Sequence, residues 1–262
     1  MTDLINRLSK LDAPDREVGL HLGDCLEIMP TLQAGSIDLI LADLPYGTTQ
    51  NNWDSLIPLQ PLWAEYWRVL KPNGAIVLTA QTPFDKVLGS SCLKYLKYEW
   101  IWEKTHPTGH LNAKKAPMKA HENVLVFYRS LPTYNPQKTT GHVRKTAVKR
   151  KDDTPTYGTQ KFDALPYNST ERYPRSVITF ASDKQKSTLH PCQKPVSLMQ
   201  YIIRTYSDAG QIVLDNCMGS GTTGVDAAIE GREFIGIEKD QDYFHVAQAR
   251  IALLRAKEAG KL

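Results

Sequence analysis

The 262-residue sequence has no long apolar run, few cysteines and little net charge. No stretch reaches the roughly 20 apolar residues that a membrane helix needs. The first residues, Met1–Asp12, mix charges with leucine and isoleucine, unlike a secretory signal. We therefore expect a cytoplasmic protein that has no contact with a membrane.

The four cysteines stand singly, with no CxxC pair. This spacing argues against both a disulfide framework and a zinc site, so we expect reduced thiols and no metal. The net charge of +4 is too small to indicate a partner, but basic residues gather in Lys138–Lys151. Such a run is either a solvated loop or a surface that neutralises phosphates, and composition alone leaves both open.

What is present is an alternation of short apolar runs and helical patterns. Ser36–Ala42 is typical of a strand buried on both faces, Leu59–Leu70 has helical spacing, and Ala75–Ala80 is again strand-like. Two further strands, Tyr98–Trp102 and Asn123–Tyr128, bracket a stretch that predicts a long loop. In the last third we predict, in order, a helix, strand, helix, strand and helix at Pro195–Tyr206, Gln211–Leu214, Thr222–Glu230, Glu233–Ile237 and Tyr243–Ala259.

This alternation predicts an α/β fold with a doubly wound, Rossmann-like, mostly parallel sheet. Periodicity is weak between residues 132 and 187, where threonine, tyrosine, lysine and proline accumulate. We therefore divide the chain into a first half of the main domain at 1–131, an insert at 132–187 and a second half of the main domain at 188–262.

A glycine-rich turn follows the strand-like IVLD and includes Gly219, Gly221 and Gly224. Tight turns between strand and helix need glycine for structural reasons alone, so the turn by itself is weak evidence of a ligand. Glu238 closes the next strand, where a carboxylate can accept hydrogen bonds from both hydroxyls of a ribose. Because the turn lacks the lysine of a phosphate-binding loop, an adenosyl group without pyrophosphate fits better, which favours S-adenosylmethionine.

A second pattern, Asp43-Leu44-Pro45-Tyr46, ends the first buried strand. The Asp43 carboxylate and the carbonyl of Leu44 or Pro45 could accept the two protons of an amino group, while the Tyr46 ring stacks on a base. Two such acceptors would draw the nitrogen lone pair out of conjugation and make it nucleophilic. The structural alternative is a turn that carries a core tyrosine.

Together these segments resemble the amino-methyltransferases of DNA, whose catalytic motif is DPPY and whose cofactor loop is DPFxGSGTT. Here they stand as DLPY and DNCMGSGTT, and GDCLE, HENVLVFYR and HPCQKP occupy the positions expected of the permuted β-group. The resemblance covers residues 20 to 250. It implies a class I S-adenosylmethionine-dependent methyltransferase in which the insert recognises the target.

The resemblance also implies roles for individual residues. It makes Asp43, Pro45 and Tyr46 the amino-group site, and the aspartate favours adenine N6 over cytosine N4. Around the cofactor it places Asp24, Lys194, Cys217, Gly219, Ser220, Gly221, Thr222, Thr223 and Glu238. Two positions depart from the family: Leu44 replaces a proline, and Cys217 replaces a phenylalanine expected to line the cofactor pocket.

We expect double-stranded DNA as the partner, with the target base flipped out of the helix. Phosphate contacts are predicted from Lys114, Lys115, Lys119, Arg144, Lys145, Lys149, Arg150 and Lys151. Base-reading side chains are expected in the insert, with Gln160, Asn168, Arg172 and Arg175 as candidates. By analogy we expect a homodimer. Whether the enzyme acts alone or together with a restriction endonuclease stays open. The alternatives are a cytosine-N4 methyltransferase, an enzyme acting on RNA or protein amines, and a non-catalytic DNA-binding relative.

Overall fold

The computed structural model describes residues 19–47, 55–147, 167–181 and 194–258. These residues form two compact units. The larger unit combines residues up to Asn135 with those from Ser176 onward, and the smaller unit is Pro136–Arg175. The smaller unit is shorter than the predicted insert, 132–187, because residues 177–180 add a strand to the main sheet.

The described residues include ten strands, of which eight form one sheet in the order β1-β10-β9-β2-β3-β5-β4-β8. The other two pair with each other in the smaller unit. In chain order the strands are β1 (Leu20–Leu22), β2 (Ile37–Asp43), β3 (Leu70–Ala80), β4 (Leu96–Thr108), β5 (Lys119–Phe127), β6 (Lys145–Ala147), β7 (Tyr167–Ser169), β8 (Val177–Phe180), β9 (Ile212–Asp215) and β10 (Glu233–Glu238).

Six α-helices connect the strands of the main sheet within the described residues. They are α1 (Cys25–Ile28), α2 (Leu59–Val69), α3 (Phe84–Ser91), α4 (Val196–Tyr206), α5 (Thr222–Ile229) and α6 (Gln241–Glu258). Five strands, from β1 to β3 in sheet order, run parallel, and this confirms the predicted α/β, Rossmann-like class. Among the described helices, none is both long and apolar enough to cross a membrane.

Apolar side chains pack on both faces of the sheet, as the composition of its central strand predicts. Strand β2 is buried over its first six residues. Ile37 and Ile40 join the core on one face, which includes Trp63 and Tyr66 of α2. Leu39 and Leu41 join the core on the other face with residues of α4. Because both faces are covered, the residue pattern of β2 is continuous and not alternating.

The β4–β5 hairpin is longer than the sequence predicts. The stretch between the two predicted strands is paired at both of its ends, where β4 continues to Thr108 and β5 begins at Lys119, so the loop, residues 109–118, is shorter than predicted. Exposed polar side chains alternate with buried ones on β4, and a strand with one solvated face tolerates this pattern. The hairpin continues past the carboxyl end of its neighbour β3, whose last residue, Ala80, pairs with Asn123.

The carboxyl ends of β2, β3, β9 and β10 lie at one edge of the sheet because these strands are parallel. Strand β5 runs antiparallel to β3, so its first residues reach the same edge. The crossover connections leave in opposite directions at the β9–β2 boundary. A crevice at such a switch point is where open α/β sheets bind ligands.

Gly221, at the start of α5, is required by both backbone conformation and space. Its φ is +78°, and an added Cβ would lie 2.7 Å from Cβ of Ala247 in α6. Gly210 has the same φ of +78° but nothing within 4 Å of an added Cβ. Alanine at residue 210 would therefore introduce backbone strain alone, whereas alanine at residue 221 would add a steric collision to the same strain.

We expect Gly221→Ala to destabilise the protein by about 2–4 kcal/mol, because the strain of a positive φ adds to a collision in a packed region. Gly210→Ala should cost only about 1 kcal/mol, the backbone part. Urea unfolding of both variants measures the difference. Equal losses would show that α6 can move away from residue 221 without cost.

Candidate active site

A cavity of about 420 Å³ opens at the carboxyl edge of the sheet, between the segment after β2 and the segment after β9. Its volume lies in the range typical of small-molecule sites. It brings together Asp24, Asp43, Pro45, Tyr46, Lys194, Cys217, Gly219, Ser220, Thr222, Thr223 and Glu238. All of these residues were predicted from the sequence, and they come from five separate regions of the chain.

Asp43, the last residue of β2, holds three hydrogen bonds. Its Oδ1 accepts from the Tyr46 hydroxyl at 2.6 Å and from Oγ1 of Thr79 at 2.5 Å. Its Oδ2 accepts from Nζ of Lys194 at 2.6 Å. Thr79 stands directly opposite Asp43 in the β2–β3 register, so strand pairing fixes this contact. With two donors on Oδ1, the carboxylate is oriented with Oδ2 as its remaining acceptor.

Tyr46 is held by both its ring and its hydroxyl. The ring stacks on Phe84 of α3 with centroids 5.3 Å apart and an interplanar angle of 30°. Burial, reinforced by the neighbouring Asp43 carboxylate, raises the pKa of Tyr46 well above its usual value. The hydroxyl therefore stays protonated and donates to Asp43, which fixes the ring plane at the cavity wall.

Lys194 lies beside Asp43 in a buried position, and its ammonium contacts two carboxylates. Its Nζ is 2.6 Å from Oδ2 of Asp43 and 3.3 Å from Oε2 of Glu122. Burial alone would lower its pKa, but Asp43, Tyr46 and Glu122 raise the pKa of Lys194 well above its usual value. These contacts belong to the predicted amino-group site, whereas the resemblance placed Lys194 with the cofactor.

Glu122, on β5, lies between two lysines. Its Oε1 accepts from Nζ of Lys104 at 2.6 Å, while Oε2 faces Lys194. Burial would raise the pKa of Glu122, but the two ammonium groups outweigh it and hold the pKa below its usual value. Asp43, Lys194, Glu122 and Lys104 thus form a buried chain of alternating charges whose formal sum is zero.

The glycine loop between β9 and α5 is fixed by contacts from strand β10 and from helix α6. Met218 donates its backbone N–H to the carbonyl of Ile237 at 3.0 Å, and Gly219 donates to Oε2 of Glu238 at 2.8 Å. From α6, Arg250 donates to the carbonyl of Ser220 at 2.5 Å. The loop is therefore preformed around the cavity.

Glu238 and Asp24 close the cofactor end of the cavity. The second oxygen of Glu238, Oε1, accepts from the N–H of Asp240 at 2.8 Å. Burial raises the pKa of Glu238 above its usual value. Asp24 caps α1 by accepting from the N–H of Leu26 at 2.8 Å. The carbonyl of Glu238 accepts from Gly23 at 2.9 Å, which ties the two acidic positions together.

Asp215, which ends β9, also lines the cavity, although no role was predicted for it. Burial raises the pKa of Asp215 to about 7. Its Oδ1 accepts from the N–H of Cys217 at 3.0 Å. Beside it, the Cys217 thiol accepts from Nδ2 of Asn216 at 3.3 Å. A small thiol occupies the position at which the family has a phenylalanine, so the cavity wall here is less bulky.

The predicted phosphate-binding residues fall into three groups. Lys114, Lys115 and Lys119 are exposed at the tip of the β4–β5 hairpin, and Lys119 also borders the cavity. Arg144 and Lys145 are exposed in the smaller unit. The predicted residues Lys149, Arg150 and Lys151 lie outside the described residues, as does the base-reading candidate Gln160.

Of the candidate base-reading side chains, Arg172 already has partners inside the smaller unit. Its guanidinium donates to the carbonyls of Ser169 at 3.1 Å, of Glu171 at 2.6 Å and of Val143. This arrangement fixes the local fold, so Arg172 is a structural residue in this state. Asn168 accepts from Arg144 at 2.9 Å.

Comparison with known proteins shows the family. A family model described as DNA methylase matches residues 37–249, and the chain belongs to this family of N6/N4 DNA methyltransferases. The DNA adenine methyltransferase YhdJ of Escherichia coli (strain K12) is 31% identical over 248 residues, which are 87% of this chain and 81% of that protein. The type II methyltransferase M.HinfI of Haemophilus influenzae is 28% identical over 265 residues, 87% of this chain and 67% of that one.

Solved structures agree on the fold. The M1.HpyAVI–SAM complex has a TM-score of 0.59 at 24% identity, covering 88% of this chain and 98% of that chain. The cytosine-N4-specific PvuII DNA methyltransferase has a TM-score of 0.63 at 16% identity, covering 93% of each chain. The match to the DNA methylase family confirms the predicted family and the expectation of S-adenosylmethionine as methyl donor, and it makes DNA the substrate.

Sequence reasoning missed Thr79, Lys104, Glu122 and Asp215 as members of the site. Thr79 and Asp215 could have been found, because each is a polar residue at the end of an otherwise apolar strand. Lys104 and Glu122 carried a weaker signal. They reach the cavity only because the hairpin extends past the parallel strands.

Proposed function

We propose that this DNA methyltransferase transfers a methyl group to the exocyclic N6 amino group of adenine. The observation that carries the proposal is the Asp43 carboxylate, oriented by Thr79 and Tyr46, at the wall of a cavity shared with the glycine loop. The aspartate at the head of the motif favours adenine, as does the similarity to a relative named as a DNA adenine methyltransferase.

The residues present fit S-adenosylmethionine. The glycine loop allows its backbone to approach a ligand closely, and Glu238 offers a buried carboxylate for the ribose hydroxyls. The loop itself, residues 216–224, has no lysine of the kind that a phosphate-binding loop carries. When bound, the cofactor supplies a methyl group on a sulfonium and leaves as a neutral thioether. We assign Glu238, Asp24, Cys217 and the loop Gly219–Thr223 to holding it.

Asp43 and the backbone carbonyls of the DLPY turn orient the amino group of the base. Oδ2 of Asp43 accepts one N–H and a carbonyl of Leu44 or Pro45 accepts the other, so the nitrogen lone pair points toward the donor. Asp43 and the carbonyl would hold the nitrogen in this orientation while it takes up the methyl group that the cofactor supplies. The nitrogen then releases one proton to Asp43 or to water.

Tyr46 supplies an aromatic surface at a fixed angle for stacking a base that has left the duplex. We assign Lys114, Lys115 and Lys119, together with Arg144, Lys145 and the basic residues 149–151, to the DNA phosphates. Where such contacts supply the affinity, the logarithm of the binding constant falls linearly with the logarithm of the salt concentration.

Digestion of labelled DNA tests the proposal. The purified protein is incubated with methyl-labelled S-adenosylmethionine and unmethylated duplex DNA, and the nucleosides are separated and identified by mass spectrometry. We expect the label in N6-methyl-2′-deoxyadenosine. Label in N4-methyl-2′-deoxycytidine would keep the mechanism and overturn the base assignment. Cofactor binding without label in any DNA would indicate a non-catalytic relative.

A further inference from the structure

The Lys194 ammonium and the incoming amino group of the base would compete for the same oxygen of Asp43. Because Oδ1 already accepts from Tyr46 and Thr79, an incoming amino group must bond to Oδ2, where the Lys194 ammonium lies at 2.6 Å. An ammonium on that oxygen occupies the acceptor and withdraws electron density from it. Efficient transfer therefore needs another place for the lysine.

Glu122 provides that place. Its Oε2 is 3.3 Å from the Lys194 Nζ and is buried without a hydrogen bond in this structure, so it can take a shorter bond from the same ammonium. Its other oxygen is held at 2.6 Å by Lys104, which itself packs 5.2 Å from the centre of the Trp102 ring. The carboxylate is thus anchored with its free oxygen toward Lys194.

We propose that Glu122, anchored by Lys104, is a positioning residue that receives the Lys194 ammonium when the target amino group bonds to Asp43. The inference rests on the proposed function. Before DNA binds, Lys194 holds Oδ2 of Asp43 in an ion pair. When the base arrives, the ammonium shifts to Glu122, and Oδ2 becomes available to the amine while the charges of the site still sum to zero.

The register of the hairpin supports this assignment. Trp102 pairs with Glu122 across β4 and β5, and Lys104 is two residues further along β4 on the same face. Only 6% of the Lys104 side chain and 12% of the Glu122 side chain are exposed. A buried ion pair is costly to desolvate and gives weak net stability, so stability alone is a poor account of this pair.

Removal of the Glu122 charge tests the inference. With saturating cofactor and DNA, Glu122→Gln should lower the single-turnover rate about 10- to 100-fold while the Kd values for both ligands change by less than about threefold. The ammonium then has only Asp43 as a carboxylate partner, and the site carries one uncompensated positive charge. Glu122→Asp, which keeps the carboxylate, should lie between Glu122→Gln and the wild type.

A second substitution distinguishes positioning from a structural role. Adding Lys194→Met to Glu122→Gln removes the competing ammonium and restores charge balance, so the rate should recover about tenfold over Glu122→Gln alone. A purely structural Glu122 predicts that the second change adds further loss. Should Glu122→Gln not fold, the single-turnover rate of Glu122→Asp decides, and a rate within about twofold of the wild type would contradict the inference.

Two outcomes would overturn the inference: a Glu122→Gln rate within about twofold of the wild type, or a double variant no faster than Glu122→Gln. Failure of the proposed function looks different. In that case the wild-type protein itself would transfer no methyl group to adenine, and the assignment of Glu122 would be withdrawn with it.

Discussion

Asp43→Ala is expected to lower the single-turnover rate of methyl transfer about 1,000-fold or more while changing the Kd for S-adenosylmethionine by less than about threefold. The substitution removes the oriented acceptor on which the amino group of the base would bond. It also leaves Glu122 as the remaining carboxylate partner of Lys194, and the chain of charges then carries one excess positive charge. Rapid-quench measurements with labelled cofactor give the rate, and equilibrium titration gives the Kd.

A matched control lies on the same strand. Asp38 of β2 is also buried and bonded to a lysine, with Nζ of Lys71 at 2.8 Å, but it is not part of the cavity. Asp38→Asn should lower stability and leave the rate within about threefold of the wild type, whereas Asp43→Asn should lower the rate about 100-fold. A rate for Asp43→Ala within tenfold of the wild type would contradict the proposed role.

Glu238→Ala is expected to weaken S-adenosylmethionine binding about 30- to 100-fold, because two charge-assisted hydrogen bonds to ribose hydroxyls are lost. The rate at saturating cofactor should fall much less, since Glu238 is assigned no contact with the reacting atoms. Isothermal titration calorimetry measures the Kd, and single-turnover rates at high cofactor concentration measure the second effect.

Glu238 also bonds to the backbone of Gly219 and Asp240, so weaker binding could come from a loosened loop. An S-adenosylmethionine analogue without ribose hydroxyls separates the two causes. The wild type should bind this analogue as weakly as Glu238→Ala binds the natural cofactor, and the variant should lose little more. If the variant still discriminates between the two ligands, the ribose hydroxyls have another partner.

Much of the site could be predicted because its residues end strands or form turns. Asp43 follows a continuous apolar run, and Glu238 closes a second one, so their places at the carboxyl edge follow from the parallel order of the strands. Glycine in a tight strand-to-helix turn predicts a close approach of backbone. These are local patterns, and the resemblance to a family adds the chemistry that they serve.

The hairpin could not be predicted in the same way. Its strands β4 and β5 carry polar residues in an exposed stretch, and their pairing depends on partners that are distant from the apolar core. The sequence therefore predicted a loop between Trp102 and Asn123, whereas in the structure β4 continues to Thr108 and β5 begins at Lys119. The hairpin brings Lys104 and Glu122 to the cavity.

By itself the sequence determined the α/β class. It also determined the strand ends and turns that line the two halves of the cavity, because strand burial and turn chemistry are encoded locally. Only the tertiary structure decided what surrounds Asp43. The β2–β3 register sets Thr79 opposite it, and the packing of the segment before α4 brings Lys194 to its second oxygen. Charges that are 151 residues apart in the chain cannot be paired by local pattern, because burial and long-range packing select their partners.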